Sequence, residues 1–93
     1  MMKIGREYII QGHVQGVGFR FYTYQWMKKR PITGYVWNRE DGSVGIKAFA
    51  QEHVLAKLDD WLEAGGPIGC KIIFWSATSC DYEEMADFSI RHY

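Results

Sequence analysis

The sequence predicts an α+β fold, a four-stranded antiparallel sheet covered on one side by two helices, with a short extra strand at one edge. Three observations lead there. Two segments with helical apolar periodicity, residues 20–30 and 52–64, each follow a β-prone run and precede another. Each carries a single apolar stripe, so each needs a sheet surface to cover. Asp41-Gly42 stands between two further β-prone runs, a strong hairpin signal.

Residues 4–14 carry Tyr8, Ile9, Ile10 and Val14 among polar neighbours and read as strand one, leading into a glycine-rich turn. In the next segment Phe19, Tyr22, Trp26 and Met27 recur at helical spacings, and Lys28-Lys29-Arg30 precedes Pro31. Those three cations suit a helix C-terminus, where the dipole is negative, and are read as a solvated cap, not a nucleic-acid patch. Residues 33–38 are β-prone, and residues 43–49 alternate with Val44, Ile46 and Ala48 on one face. Val54, Leu55, Leu58, Trp61 and Leu62 form the clearest helical stripe, which Gly65-Gly66-Pro67 ends. Residues 70–77 form a fourth strand with both faces partly apolar. After the polar stretch from Ser79 to Asp87, residues 87–91 close the fold as a short edge strand with Phe88 and Ile90 inward. Two such strand-helix-strand units make the ferredoxin-like split β-α-β arrangement.

The chain is predicted to be one domain over residues 1–93, because 93 residues leave no length for a second. Hydrophobic residues are 47% and charged residues 24%, a globular balance. With 11 acidic and 11 basic residues the formal net charge is zero, which argues against nucleic acid as the partner. No apolar run has the length of a bilayer span, and the start of the chain lacks a signal-peptide core, so the expected location is the cytoplasm. Cys70 and Cys80 bracket strand four. Ten residues at about 3.3 Å each put them some 33 Å apart, so free thiols are expected and, without clustered histidines, no metal.

Gly12-His13-Val14-Gln15-Gly16-Val17-Gly18-Phe19-Arg20 is the stretch that carries chemistry. Three glycines in seven positions let successive backbone N–H groups face one point and form an anion-binding nest. A helix starting near Arg20 adds its positive dipole end, and the guanidinium adds a planar donor fork. The steric alternative is an ordinary strand-to-helix turn with a solvated arginine. Neither a Walker loop nor a dinucleotide fingerprint is present. Asn38, a polar amide ending an aromatic strand, reads by itself as a turn-initiating residue capping its own backbone. The lone histidines His13, His53 and His92 are weak candidates for chemistry, His92 in the tail among the weakest.

Taken together, these two motifs resemble the acylphosphatase family. The stretch from Gly12 to Arg20 is similar to that family's first signature, and Gly34-Tyr35-Val36-Trp37-Asn38 with Asp41-Gly42-Ser43-Val44 is similar to its second. The resemblance continues through Trp61-Leu62, Gly65-Gly66-Pro67 and Phe88-Ser89-Ile90-Arg91. It implies a ferredoxin-like enzyme that hydrolyses acyl phosphates to carboxylate and inorganic phosphate without metal or cofactor. In the implied site the amides of Gln15, Gly16, Val17, Gly18 and Phe19 join Arg20 around the phosphate, and Asn38 places the water. Gly45 and Ala50 depart from the pattern, Gly45 with an expected loss of packing inside its strand.

Two readings from another class compete. Tyr35, Trp37, Phe74 and Trp75 on one sheet would suit an RNA-stacking module, which the neutral charge opposes. A catalytically silent phosphate or acyl-phosphate sensor would keep the cradle without turnover.

Overall fold

The computed structural model describes residues 2–93. Its elements run β1 (Lys3–His13), α1 (Phe19–Lys28), β2 (Thr33–Asn38), β3 (Val44–Gln51), α2 (Glu52–Glu63), β4 (Lys71–Cys80) and β5 (Phe88–Arg91). The sheet order is β4-β1-β3-β2-β5. The first four strands pair antiparallel, β1 and β3 at the centre, and β5 adds to β2 in parallel. This is the predicted ferredoxin-like arrangement with its edge strand in place.

One face of the sheet makes the core. Tyr8 and Ile10 of β1, Val36 of β2 and Val44, Ile46, Ala48 and Ala50 of β3 are buried against the helices. From α2 come Val54, Leu55, Leu58 and Leu62, as the stripe predicts, and each leucine buried in this way contributes about 1.5–3 kcal/mol. On α1 the buried residues are Phe19, Thr23 and Met27, a straight i, i+4, i+8 row. Tyr22, expected in the stripe, is instead 48% exposed. Phe19 at the first helical position directs the buried row, and Tyr22 falls beside it. Trp26 and Trp61 stack at 4.8 Å between the two helices.

The basic triplet behaves as the cap it was expected to be. Arg30 Nη1 donates to the Trp26 carbonyl at 2.8 Å, and its guanidinium lies 3.7 Å from the centre of the Trp26 ring. A late-turn carbonyl is thereby satisfied by a cation where the dipole favours one. At the other end of the sheet-helix interface, Tyr8 Oη donates to Asp59 at 2.6 Å and Arg6 to the same carboxylate at 2.8 Å, tying β1 to α2. Burial and the Asp59 bond both push the Tyr8 hydroxyl well above its ordinary pKa.

Strand β4 runs to Cys80, three residues beyond the predicted end at residue 77. Its ladder with β1 continues through Tyr8↔Ala77, Arg6↔Ser79 and Gly5↔Cys80, so backbone pairing overrides the polar composition of Ser76-Ala77-Thr78-Ser79. Cys70 immediately precedes the strand and Cys80 ends it, and both are free thiols. The next residues cross toward β2. Tyr82 packs edge-on against Phe49, and Gly34 N–H donates to the Asp87 carbonyl at 3.1 Å, delivering Phe88 into parallel register with Gly34.

Gly45 corrects an expectation. A β-carbon there would lie 2.5 Å from the Trp37 ring, so the indole fills the space directly over the glycine. The strand loses no packing at this point, because the neighbouring strand supplies it.

Candidate active site

The first turn after β1 is built around two glycines in the left-handed region, Gly16 at φ 76° and Gly18 at φ 80°. Gly18 is the residue preceding α1, with φ 80° and ψ 14°, and no side chain caps the helix. Its carbonyl accepts the first helical bond, from Tyr22 N–H at 3.0 Å. The amides of Phe19, Arg20 and Phe21 therefore start the helix with no intrahelical acceptor, as the geometry of any helix start requires. Among the described residues, the backbone amides of 15–18 also have no backbone acceptor. No acidic residue occupies the first helical turn, which keeps this end of the helix electrostatically positive.

A cleft of about 250 Å³ opens over this turn. Gly16, Gly18, Phe19 and Arg20 line it from the turn and α1, Asn38 from the end of β2, and Ile90 and His92 from β5 and the tail. Residues far apart in sequence meet because β1 and β2 run in the same direction on either side of β3. Their C-terminal ends therefore share one edge of the domain. Of the six cradle residues expected from sequence, Gly16, Gly18, Phe19 and Arg20 border the cleft. Gln15 and Val17 do not. The Gln15 side chain faces the hairpin instead, where its Nε2 donates to the carbonyls of Arg39 and Ser43, both at 2.8 Å. The turn is bolted to the β2–β3 hairpin by that side chain.

Asn38 is half-buried and pairs with Val44 at the last rung of β2. Among the described residues no hydrogen bond joins the Asn38 side chain to the turn that follows it, and Asp41 closes that turn. Asp41 Oδ1 accepts from Ser43 N–H at 3.0 Å and from Ser43 Oγ at 2.5 Å, and Arg39 N–H closes the turn onto the Ser43 carbonyl at 2.8 Å. These Ser43 bonds, with Arg39 nearby, lower the Asp41 pKa below its usual value. The Asn38 amide lines the cleft instead.

Among the histidines, His13 is exposed in register with Lys71, and His53 is exposed at the start of α2. His92 lies nearer the cleft than its place in the tail suggests. Its Nδ1 lies 3.1 Å from Arg20 Nη1, and it borders the cleft. The same Arg20 nitrogen reaches the Arg91 carbonyl at 3.5 Å. No local signal marks His92, because the contact spans 72 positions and depends on the parallel placement of β5.

Of the aromatic residues considered for base stacking, Tyr35 and Trp37 lie together with ring centres 5.4 Å apart, whereas Trp75 is on the other side of the sheet. Trp75 packs toward the core beside Tyr8, with ring centres 6.1 Å apart, and donates to Glu63 at 2.9 Å. Tyr35 is covered by the Arg91 guanidinium at 3.7 Å, and Trp37 lies over Gly45. Among the described residues no group of three or more histidine, cysteine, aspartate or glutamate side chains is arranged to hold a metal ion. Nor is any helix among them long and apolar enough to cross a membrane.

A split β-α-β domain with an amide-rich turn, a helix start and an arginine at one sheet end belongs to the class of small phosphate-handling α+β proteins. A family model described as Acylphosphatase matches residues 6–90. An acylphosphatase of Photorhabdus laumondii is 48% identical over 92 residues, covering 99% of this chain and 100% of the relative. The crystal structure of acylphosphatase from Bacillus subtilis superposes with a TM-score of 0.86 at 35% identity, covering 97% of this chain and 99% of that one. An acylphosphatase structure from Coxiella burnetii gives 0.88 at 26% identity, with 96% and 93% covered. The chain belongs to the acylphosphatase family, a family of hydrolases.

Proposed function

We propose that this chain hydrolyses acyl phosphates to a carboxylate and inorganic phosphate in the cleft over the first turn, with neither metal nor cofactor. The observation that carries the reading is the convergence of Gly16, Gly18, Arg20 and Asn38 on one cleft from two separate strand ends. The backbone amides of Gly16, Gly18 and Phe19, which border the cleft, and the Arg20 fork hold the equatorial phosphoryl oxygens, where charge concentrates in the transition state. Asn38 accepts one hydrogen bond from the attacking water and aligns it opposite the leaving oxygen. Water oxygen bonds to phosphorus as the bond from phosphorus to the acyl oxygen breaks. The electron pair leaves on the carboxylate, and the water proton passes to a phosphoryl oxygen.

A carboxylate is already a good leaving group, so a strong general acid is unnecessary, and cationic and amide donors supply the charge a metal would otherwise supply. An amide side chain is far too weak a base to deprotonate water, so its contribution is alignment. The test is hydrolysis of benzoyl phosphate with and without EDTA, followed with inorganic phosphate as inhibitor. Hydrolysis unaffected by chelator and competitively inhibited by phosphate is expected. Phosphate binding without turnover would leave a silent sensor, and a large EDTA loss restored by magnesium would overturn the metal-free mechanism.

A further inference from the structure

We propose that His92 is a positioning residue for Arg20: its neutral imidazole accepts at Nδ1 and holds one guanidinium nitrogen, leaving the other donors of the fork turned to the phosphoryl group. The inference rests on the reading of Arg20 given above. A guanidinium has donors only, so the 3.1 Å contact between Arg20 Nη1 and His92 Nδ1 requires the histidine nitrogen to be the acceptor. The proton of the ring then sits on Nε2. The Arg91 carbonyl accepts from the same Nη1 at 3.5 Å, so both tail contacts converge on a single nitrogen. Nε and Nη2 remain for two parallel bonds to phosphate oxygens, the geometry that makes arginine selective for such groups.

An arginine on the first turn of a helix otherwise has several rotamers open to it, and a site held too loosely loses rate steeply with displacement. Protonated His92 cannot accept, and it would stand as a second cation 3.1 Å from the first. The neighbouring Arg91 stacks on Tyr35 and donates to Tyr93 at 3.2 Å, and Arg39, Glu40 and Asp41 line a separate cavity with Tyr93. Arg20 is the charged group in direct contact with His92.

The test compares wild type, His92→Ala, His92→Asn and Arg20→Ala in benzoyl phosphate hydrolysis from pH 8 to pH 5. In asparagine, Oδ1 takes the place of Nδ1 as an acceptor that does not protonate. His92→Ala should lower kcat about tenfold at pH 8, the size of a positioning defect and not of a lost donor. His92→Asn should restore it to within about threefold, and the loss of kcat expected of wild type when His92 is protonated should be absent from this variant. Nitrogen-15 NMR at pH 8 should find the His92 proton on Nε2, with a change in the Nδ1 shift in Arg20→Ala. Wild-type kcat in His92→Ala, a wild-type acid limb in His92→Asn, or a proton on Nδ1 would overturn the inference alone. An active Arg20→Ala would overturn the reading of Arg20 and this inference with it.

Discussion

Two turns lie side by side at one end of the domain, and they differ in how far they satisfy their own polar groups. The β2–β3 hairpin from Arg39 to Ser43 closes on itself through the amides of Arg39, Gly42 and Ser43. Asp41 takes the Ser43 amide and hydroxyl, Arg39 N–H meets the Ser43 carbonyl, and Gly42 N–H donates to the Arg39 carbonyl at 3.3 Å. The turn from Val14 to Gly18 has comparable glycines but leaves its amides without backbone acceptors, and its fastening comes from the Gln15 side chain. A backbone donor left without an internal partner is tolerable only where water or a ligand meets it. The internally bonded hairpin therefore fits a structural role and the more open turn fits the proposed phosphate site, although in sequence both are short glycine-bearing loops.

The largest effect that can break this contrast is at Arg20. Arg20→Lys keeps the charge but loses the planar fork, and should lower kcat about a hundred- to a thousandfold. Near-normal turnover in that variant would remove the arginine from the site. Asn38→Ala comes next, with a fall of about a hundredfold in turnover while inorganic phosphate inhibits as before. Because Asp41 already closes the hairpin, the folded fraction should change little, and wild-type turnover per folded molecule would return Asn38 to a structural role.

A matched pair sharpens the comparison further. Gly16 and Gly42 have φ of 76° and 91°, and a β-carbon at either meets nothing within 4 Å. Replacing either with alanine should cost the same kind of backbone strain, about 1–2 kcal/mol by chemical denaturation. Only Gly16→Ala should also lower turnover, because in the proposed site that turn and not the hairpin presents its amides to substrate. Equal kinetic losses in both would erase the distinction between the turns.

The smallest effect is expected at Asp41. Its pKa is lowered by the Ser43 bonds and then by Arg39, so its contribution is present above the ordinary carboxylate value and lost as pH falls through the folded value. Thermal melts of wild type and Asp41→Ala should therefore differ slightly at neutral pH and converge in acid. A gap that widened in acid would contradict the sign of the shift.

Local pattern alone determined much of this protein. The α2 stripe, the Asp41-Gly42 hairpin and the glycine density before Arg20 were legible because periodicity, turn chemistry and helix starts depend on residues within a few positions of one another. The sequence also singled out Arg20 and Asn38, through motifs that resemble a family, but single residues could not decide between Asn38 as cap and Asn38 as cleft residue. In the structure Asn38 borders the cleft and Asp41 closes the hairpin. Tertiary structure alone decided that Tyr22 faces solvent while Thr23 is buried, that β4 continues to Cys80 on the strength of its ladder with β1, and that Trp37 fills the space over Gly45. It alone also brought the tail to the site. β5 pairs in parallel with β2, and that register carries His92 back across 72 positions to Arg20, a contact set by strand order and invisible to any local pattern.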